Sequence, residues 1–222
     1  MNRFLKRAWA EIDLDALEHN YNEIKKLAKG KDILAVVKAN AYGHDDKAVC
    51  LKLQELGVKY YGVSNLWEGE KLRQHGITGT ILTFGYTDED YFDELLEYGI
   101  TQTAGSVQYA KQLSDYAVSK GVKLPVHIKV NTGMTRVGID SQQEMLDILA
   151  MPGLDCKAAY THFAAADSLD PSDVEYTDRQ QEKLMKIAKD KGLLIHSQNS
   201  GGIIYHGDFG GDIVRAGVIL YG

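Results

Sequence analysis

Cysteine and proline are scarce in this 222-residue chain: two of the first (Cys50, Cys156) and three of the second (Pro125, Pro152, Pro171). Two thiols without a CxxC spacing exclude a disulfide framework and a zinc ribbon, and a reducing, cytoplasmic setting is expected. No apolar run approaches the roughly 18 residues that a membrane helix needs. The basic residues 1–7 lead into Trp9-Ala-Glu-Ile-Asp13, not into an apolar signal core. Positive charge is not in excess either. Lys plus Arg is 25 against 31 Asp plus Glu, a net charge of −6, and the basic residues are scattered. That argues against a nucleic-acid partner. No low-complexity linker divides the chain, so one domain over residues 1–222 is expected, with 1–12 as a lead-in segment. With 44% hydrophobic and 25% charged residues, the composition is that of an ordinary globular domain rather than a disordered chain.

What is present is an alternation of short apolar runs and longer amphipathic stretches. Leu17, Tyr21, Ile24, Leu27 and Ala28 recur at helical spacing over 15–29, with Asp13 or Asp15 placed to cap the start. Residues 33–37 form a wholly apolar run, as in a parallel strand buried on both faces. Further strands are predicted at 60–63, 80–84, 100–104, 126–130, 156–162, 194–197 and 213–214. Helices are predicted at 47–56, 66–74, 89–98, 107–120, 142–150 and 179–191. Gly57, Gly76, Gly99, Gly121, Gly153 and Gly192 stand between helix and strand as C-terminal caps. Repeated strand–helix units imply parallel strands joined by right-handed crossovers, and eight of them imply an α/β fold of the (β/α)8 barrel type. An open doubly wound sheet would carry a Gly-rich turn after its first strand, and Lys38-Ala-Asn-Ala-Tyr42 is nothing of the kind. The chain reaches Gly222 directly after the eighth strand, so the barrel's closing helix is expected to be absent, leaving a bare flank.

Barrel chemistry gathers at the C-terminal ends of the strands. There the sequence places Lys38 and Tyr42 after strand one, Lys129 and the stretch Asn131 to Arg136 at strand five, and His162 at strand six. His196-Ser-Gln-Asn-Ser200 with Gly201 and Gly202 follows at strand seven, and Arg215-Ala-Gly217 at strand eight. A cationic rim on an acidic chain suits a small anion, phosphate above all. Lys38, partly desolvated at an apolar barrel mouth, is a candidate Schiff-base nucleophile; the alternative is a structural lysine reaching solvent. Ser200, Gly201, Gly202, Gly217 and Val218 could cradle a phosphate with a hydroxyl and backbone N–H groups, or simply make tight turns. His162 could be a base or a stacking ring. It has no partner at zinc-binding spacing, so no metal is expected. His196 reads as a core histidine. Arg215 and Lys129 each sit inside apolar strands, where a charge needs a counter-charge or an anionic ligand.

Taken in order, Arg7-Ala-Trp-Ala-Glu-Ile-Asp-Leu14, Ala35-Val-Val-Lys-Ala-Asn-Ala-Tyr-Gly-His44, Lys129-Val-Asn-Thr-Gly-Met-Thr-Arg-Val-Gly138, Thr161-His-Phe-Ala-Ala-Ala-Asp167, His196-Ser-Gln-Asn-Ser200 and Val214-Arg-Ala-Gly217 resemble the N-terminal, pyridoxal 5′-phosphate (PLP) binding barrel of bacterial alanine racemase. The resemblance covers nearly the whole chain. It implies that Lys38 holds PLP through a Schiff base and serves as one of two catalytic bases. Tyr42, Ser200, Gly217 and Val218 would bind the phosphate, with Asn199 beside them. Arg136 would approach the phenolic oxygen. His162 would lie against the ring and support Arg215, which faces the pyridine nitrogen. Lys129 matches a lysine that is carbamylated in many members, the new carboxylate orienting Arg136. An arginine at the ring nitrogen disfavours pyridinium and so favours proton exchange at Cα over decarboxylation.

The resemblance further implies a racemase of alanine, with serine left open, that supplies D-alanine for peptidoglycan and works as a head-to-tail homodimer. The second base is then a tyrosine from the other subunit's C-terminal β-domain. That domain is not in this sequence, so the chain alone is expected to be an incomplete racemase. Asp45-Asp46 after His44, where a glycine is more usual, and Asn131, where an aspartate is common, depart from the pattern. Two rival readings remain: a non-catalytic PLP-binding barrel that carries or buffers the cofactor, and a Schiff-base lyase without PLP.

Overall fold

Asp13 starts the first helix. Its Oδ1 accepts the amides of Asp15 and Ala16, both at 2.9 Å. Leu17, Tyr21 and Ile24 of α1 (Leu14–Leu27) then turn inward at the predicted spacing. The computed structural model describes residues 9–222, so the first two residues of the segment beginning at Arg7 lie outside the described residues.

Eight parallel strands follow: β1 (Asp32–Val36), β2 (Tyr60–Val63), β3 (Thr80–Thr83), β4 (Ile100–Ala104), β5 (Leu124–Lys129), β6 (Leu154–Tyr160), β7 (Leu194–His196) and β8 (Ile213–Ala216). They hydrogen-bond in the order β7-β6-β5-β4-β3-β2-β1-β8, a nearly closed barrel. The register sets Ala35 of β1 opposite Tyr61 on one side and Ala216 on the other. Between β7 and β8 there is no ladder. Asp212 N–H donates to Ile195 O at 2.8 Å and Arg215 N–H to Gln198 O at 2.9 Å, and these bonds close the ring.

The segments between strands are the turn α2 (Lys38–Tyr42) and the helices α3 (Asp46–Glu55), α4 (Leu66–Gln74), α5 (Phe92–Glu97), α6 (Val107–Ser119), α7 (Gln142–Leu149), α8 (Pro171–Ala188) and α9 (Ser200–Tyr205). Most of the apolar core lies between the strands and these helices. A small second cluster of Leu34, Val36, Leu82 and Ile213 packs with Tyr42, Tyr60 and Phe84. His127 and Lys129 alternate along β5 and so share one face. With Tyr160, His196 and Arg215 they make a buried polar group opposite that cluster.

The structure differs from the sequence reading in several places. The segment 89–98 divides into a 3₁₀ turn (Glu89–Tyr91) and α5. Helix α8 starts at Pro171, well before 179, with proline in the first turn where its missing N–H costs nothing. Gly153 has no positive φ; a Cβ there would lie 2.2 Å from Ser114 O, so the residue allows close approach instead of capping a helix. The flank expected to be bare is covered. α1 packs against α3, α9 and the 3₁₀ turn Val218–Leu220, and Asn20 Nδ2 donates to Leu220 O at 3.1 Å. Among the described residues no helix is long and apolar enough to cross a membrane.

Candidate active site

At the end of β1 the backbone reverses hand. Ala39, Asn40 and Ala41 adopt φ/ψ of 52/49, 55/49 and 53/49, and Tyr42 follows with φ 53. Left-handed geometry costs an L-residue about 1–2 kcal/mol. Here it turns Lys38 and Tyr42 toward the barrel mouth, and Lys38 Nζ lies 5.9 Å from the centre of the Tyr42 ring.

Both residues border a cavity of about 440 Å³ at the C-terminal ends of the strands. Lys129, Arg136, His162, Asn199, Ser200, Gly201, Arg215, Gly217 and Val218 border it too, whereas Gly202 does not. One end is a cradle. Gly217 N–H donates to Ser200 Oγ at 3.1 Å. A Cβ on Gly217 would sit 3.3 Å from the Tyr42 hydroxyl and 3.4 Å from Ser200 Oγ. Two hydroxyls therefore converge on space that a methyl group would crowd. Asn199 acts beside them as the N-cap of α9, its Oδ1 accepting Gly202 N–H at 3.0 Å. The Gly201–Gly202 pair lies inside that helix rather than forming a turn of its own.

Arg215 is buried. Its Nη1 donates to His196 O (2.8 Å) and to His196 Nδ1 (3.2 Å), and its Nη2 to Thr161 O (2.6 Å) and Ser197 O (2.9 Å). Burial lowers its pKa to about 10. The histidine that hydrogen-bonds Arg215 is His196, a partner the sequence reading did not assign. The reason is strand geometry. His196 ends β7, next to β8, and its ring is fully enclosed, whereas His162 lies beyond the end of β6 and is half-buried. His196 Nε2 in turn meets His127 Nδ1 at 3.1 Å. Burial, with Arg215, Arg136 and two lysines nearby, pushes His162 down to about 3, so its imidazole is neutral.

Lys129 Nζ donates to Val130 O at 2.9 Å. Burial first, then the charges of Arg215 and Arg136, lower its pKa to about 7. Arg136 is exposed at the rim. Among the described residues no group of three or more His, Cys, Asp or Glu is placed to hold a metal ion.

Three participants were not singled out in the sequence. Tyr160 stacks on the His196 ring (4.6 Å, 5°), lies under both Lys129 and Arg215 (5.5 Å each) and shares a 2.8 Å bond with Thr103 Oγ1. His127 could have been found, because it alternates with Lys129 along one strand. Glu68 accepts Ala39 N–H at 2.8 Å from 29 residues away, and no local signal announces it.

A lysine amine, a hydroxyl-lined phosphate cradle and a buried guanidinium around one cavity fit a flat phosphorylated aldehyde such as PLP. Residues 12–222 match the family model described as alanine racemase, N-terminal domain. This chain belongs to that family. The alanine racemase of Clostridium perfringens is 39% identical, over 100% of this chain and 59% of its own length. That of Methanococcus maripaludis is 38% identical over 96% and 60%. Among solved structures, alanine racemase from Clostridium difficile 630 superposes with a TM-score of 0.92 at 38% identity, over 99% of this chain and 60% of that one. A histidine racemase from Leuconostoc mesenteroides reaches 0.86 at 27% identity, over 95% and 58%. The chain thus spans about 60% of the length of the curated relatives it matches. The alanine racemases of this family are PLP enzymes.

Proposed function

We propose that this chain is the PLP-binding barrel of an amino-acid racemase acting on alanine, with serine as the nearest alternative substrate. Lys38 moves the Cα proton on one face of the substrate. The observation that carries this reading is the cavity itself, with Lys38 at its edge, the Gly217 cradle at one end and the buried Arg215 on its wall. PLP, when bound, supplies an aldehyde that condenses with amines and a conjugated ring that delocalises electrons left at Cα.

The protein's own groups would then divide the work. Tyr42, Ser200 and the N–H groups of Gly217 and Val218 hold the phosphate. Arg215, which keeps its proton, disfavours a protonated ring nitrogen, and this suits proton exchange better than decarboxylation. The neutral His162 offers a flat face without adding charge. Lys129, with its pKa near 7, has a neutral fraction able to attack carbon dioxide: an N–C bond forms, a proton leaves to solvent, and the carbamate becomes a counter-charge for Arg136. A base on the opposite face completes racemisation, and the resemblance assigns it to a tyrosine outside this barrel, in a homodimer.

Titration with PLP tests the reading. The visible band of a PLP Schiff base is expected in the wild type and absent in Lys38→Ala. Gly217→Ala should bind PLP about tenfold more weakly, because its methyl crowds the cradle. Incubation with L-alanine in D2O should place deuterium at Cα. Binding without exchange would favour a cofactor carrier, and a borohydride-trapped adduct on another lysine would refute the assignment.

A further inference from the structure

The left-handed turn after Lys38 contains no glycine until Gly43. Alanine has no side-chain hydrogen bond with which to offset the clash between Cβ and carbonyl, and Ala39 and Ala41 both adopt this geometry. Such backbone persists only where its surroundings over-determine it. Bonds inside the turn, Ala41 N–H to Val37 O (2.9 Å) and Gly43 N–H to Ala39 O (3.0 Å), follow from its shape and do not impose it.

The imposing contact comes from outside. Ala39 N–H, the first donor after Lys38, goes to Glu68 Oε1 at 2.8 Å. The other oxygen of that carboxylate accepts Ser64 N–H at 2.8 Å and Ser64 Oγ–H at 2.7 Å. The cap of α4 is already supplied by Asn65, whose Oδ1 accepts Glu68 N–H at 3.1 Å. Glu68 is therefore free to tie the chain leaving β2 to the residue that follows Lys38. One helical turn on, Lys71 bonds Asp46 at 2.9 Å and reaches Asn40 Oδ1 at 3.4 Å, holding the far end of the same turn.

We infer that Glu68 is a positioning residue for Lys38: by gripping Ala39 N–H it locks the left-handed turn and so fixes the direction in which the lysine amine enters the cavity. Only the cofactor readout of the following test rests on the proposed function.

Glu68→Gln is the informative change. One amide oxygen cannot accept from both Ala39 and Ser64, and the NH2 group presents a donor to a donor. Amide hydrogen exchange, measured without cofactor, should quicken at least about tenfold for Ala41 and Gly43 while the β4–β5 ladder is unchanged. Condensation with PLP, followed by its absorption band, should slow by about tenfold or more, as small misplacements of a reacting group do. Adding Ala39→Gly, which removes the left-handed penalty, should restore the condensation rate; a general loss of stability would not be rescued this way. Should Glu68→Gln fail to fold, Glu68→Asp, too short to span both partners, is read in the same way. Wild-type exchange and condensation rates in a folded Glu68 variant would overturn the inference. Absence of PLP attachment in the wild type would overturn the cofactor reading instead, and the exchange data would still decide the role of Glu68.

Discussion

Arginine can donate hydrogen bonds but never accept them, and this fixes the protonation of two buried histidines. Because Nη1 of Arg215 faces His196 Nδ1, that nitrogen must carry the lone pair. The His196 proton therefore sits on Nε2 and is donated to His127 Nδ1, which leaves the His127 proton on its own Nε2. A second proton on either ring would break the chain. Burial accordingly lowers His127 to about 4, and burial together with His127, Arg215 and Lys129 lowers His196 well below the usual range. A histidine depressed on folding contributes stability that is complete above its unfolded pKa of about 6.5. That stability is lost as the pH falls toward the folded value, because the unfolded chain takes up the proton first. His127 alone accounts for about 3 kcal/mol over that window. His127→Gln keeps an acceptor for His196 and has no proton to take up. Urea unfolding between pH 7 and 4.5 should therefore show the wild type losing about 2–3 kcal/mol more than the variant. Parallel acid limbs would show that His127 is not held neutral.

At the scale of the element, the loop from β1 to α3 concentrates the backbone strain. Asp45 adopts φ 67 and ψ 96 while its Oδ1 caps Ala48 N–H at 3.1 Å. A glycine there loses the cap, at a cost of a few tenths of a kcal/mol relative to aspartate, and escapes a positive-φ penalty of about 1 kcal/mol or more. Asp45→Gly should thus raise the unfolding free energy by about 0.5–1 kcal/mol in urea titrations, and destabilisation would mean that the cap outweighs the strain. This loop also marks where sequence reasoning stops. The strand of residues 33–37 is legible because a strand buried on both faces must be apolar throughout, and Lys38 is legible because it ends that run. The handedness of Lys38–Tyr42 is not legible: alanines favour right-handed helix, and the contact that overrides them comes from Glu68, far along the chain. Helix α8 escaped over its first two turns because Pro171-Ser-Asp-Val-Glu-Tyr-Thr-Asp178 carries little apolar periodicity. Site residues at strand ends could be located from topology alone, whereas which histidine meets Arg215 depends on strand adjacency around the closed ring.

For the molecule as a whole, the junction that decides whether the barrel is closed is the one without a ladder. Seven strand pairs are joined by ladders, six in continuous register and β5–β6 with a shift between Val126 and His127. β7 and β8 meet instead through two backbone bonds, through Asp212 Oδ2 accepting Ile195 N–H at 2.7 Å, and through the Arg215 fork on the carbonyls of Thr161, His196 and Ser197. One side chain therefore has two tasks, joining β8 to β6 and β7 while presenting a cation to the cavity. This constrains the chemistry: a carboxylate at 215 would satisfy none of the three carbonyls and would open the seam even if it suited a different reaction at the ring. Arg215→Met separates the tasks, since it keeps much of the apolar stem and removes every donor. His196 O keeps the Thr161 N–H at 3.3 Å, and each buried acceptor left unpaired costs about 1–3 kcal/mol, so global stability should fall by about 2 kcal/mol or more. The loss should also be local, with the amides of Ile195, Asp212 and Arg215 itself exchanging through partial opening while those of Gln102 to Ala104 in β4 still require global unfolding. A uniform rise in exchange around the ring would show that the seam is no weaker than the ladders and that Arg215 does not close it.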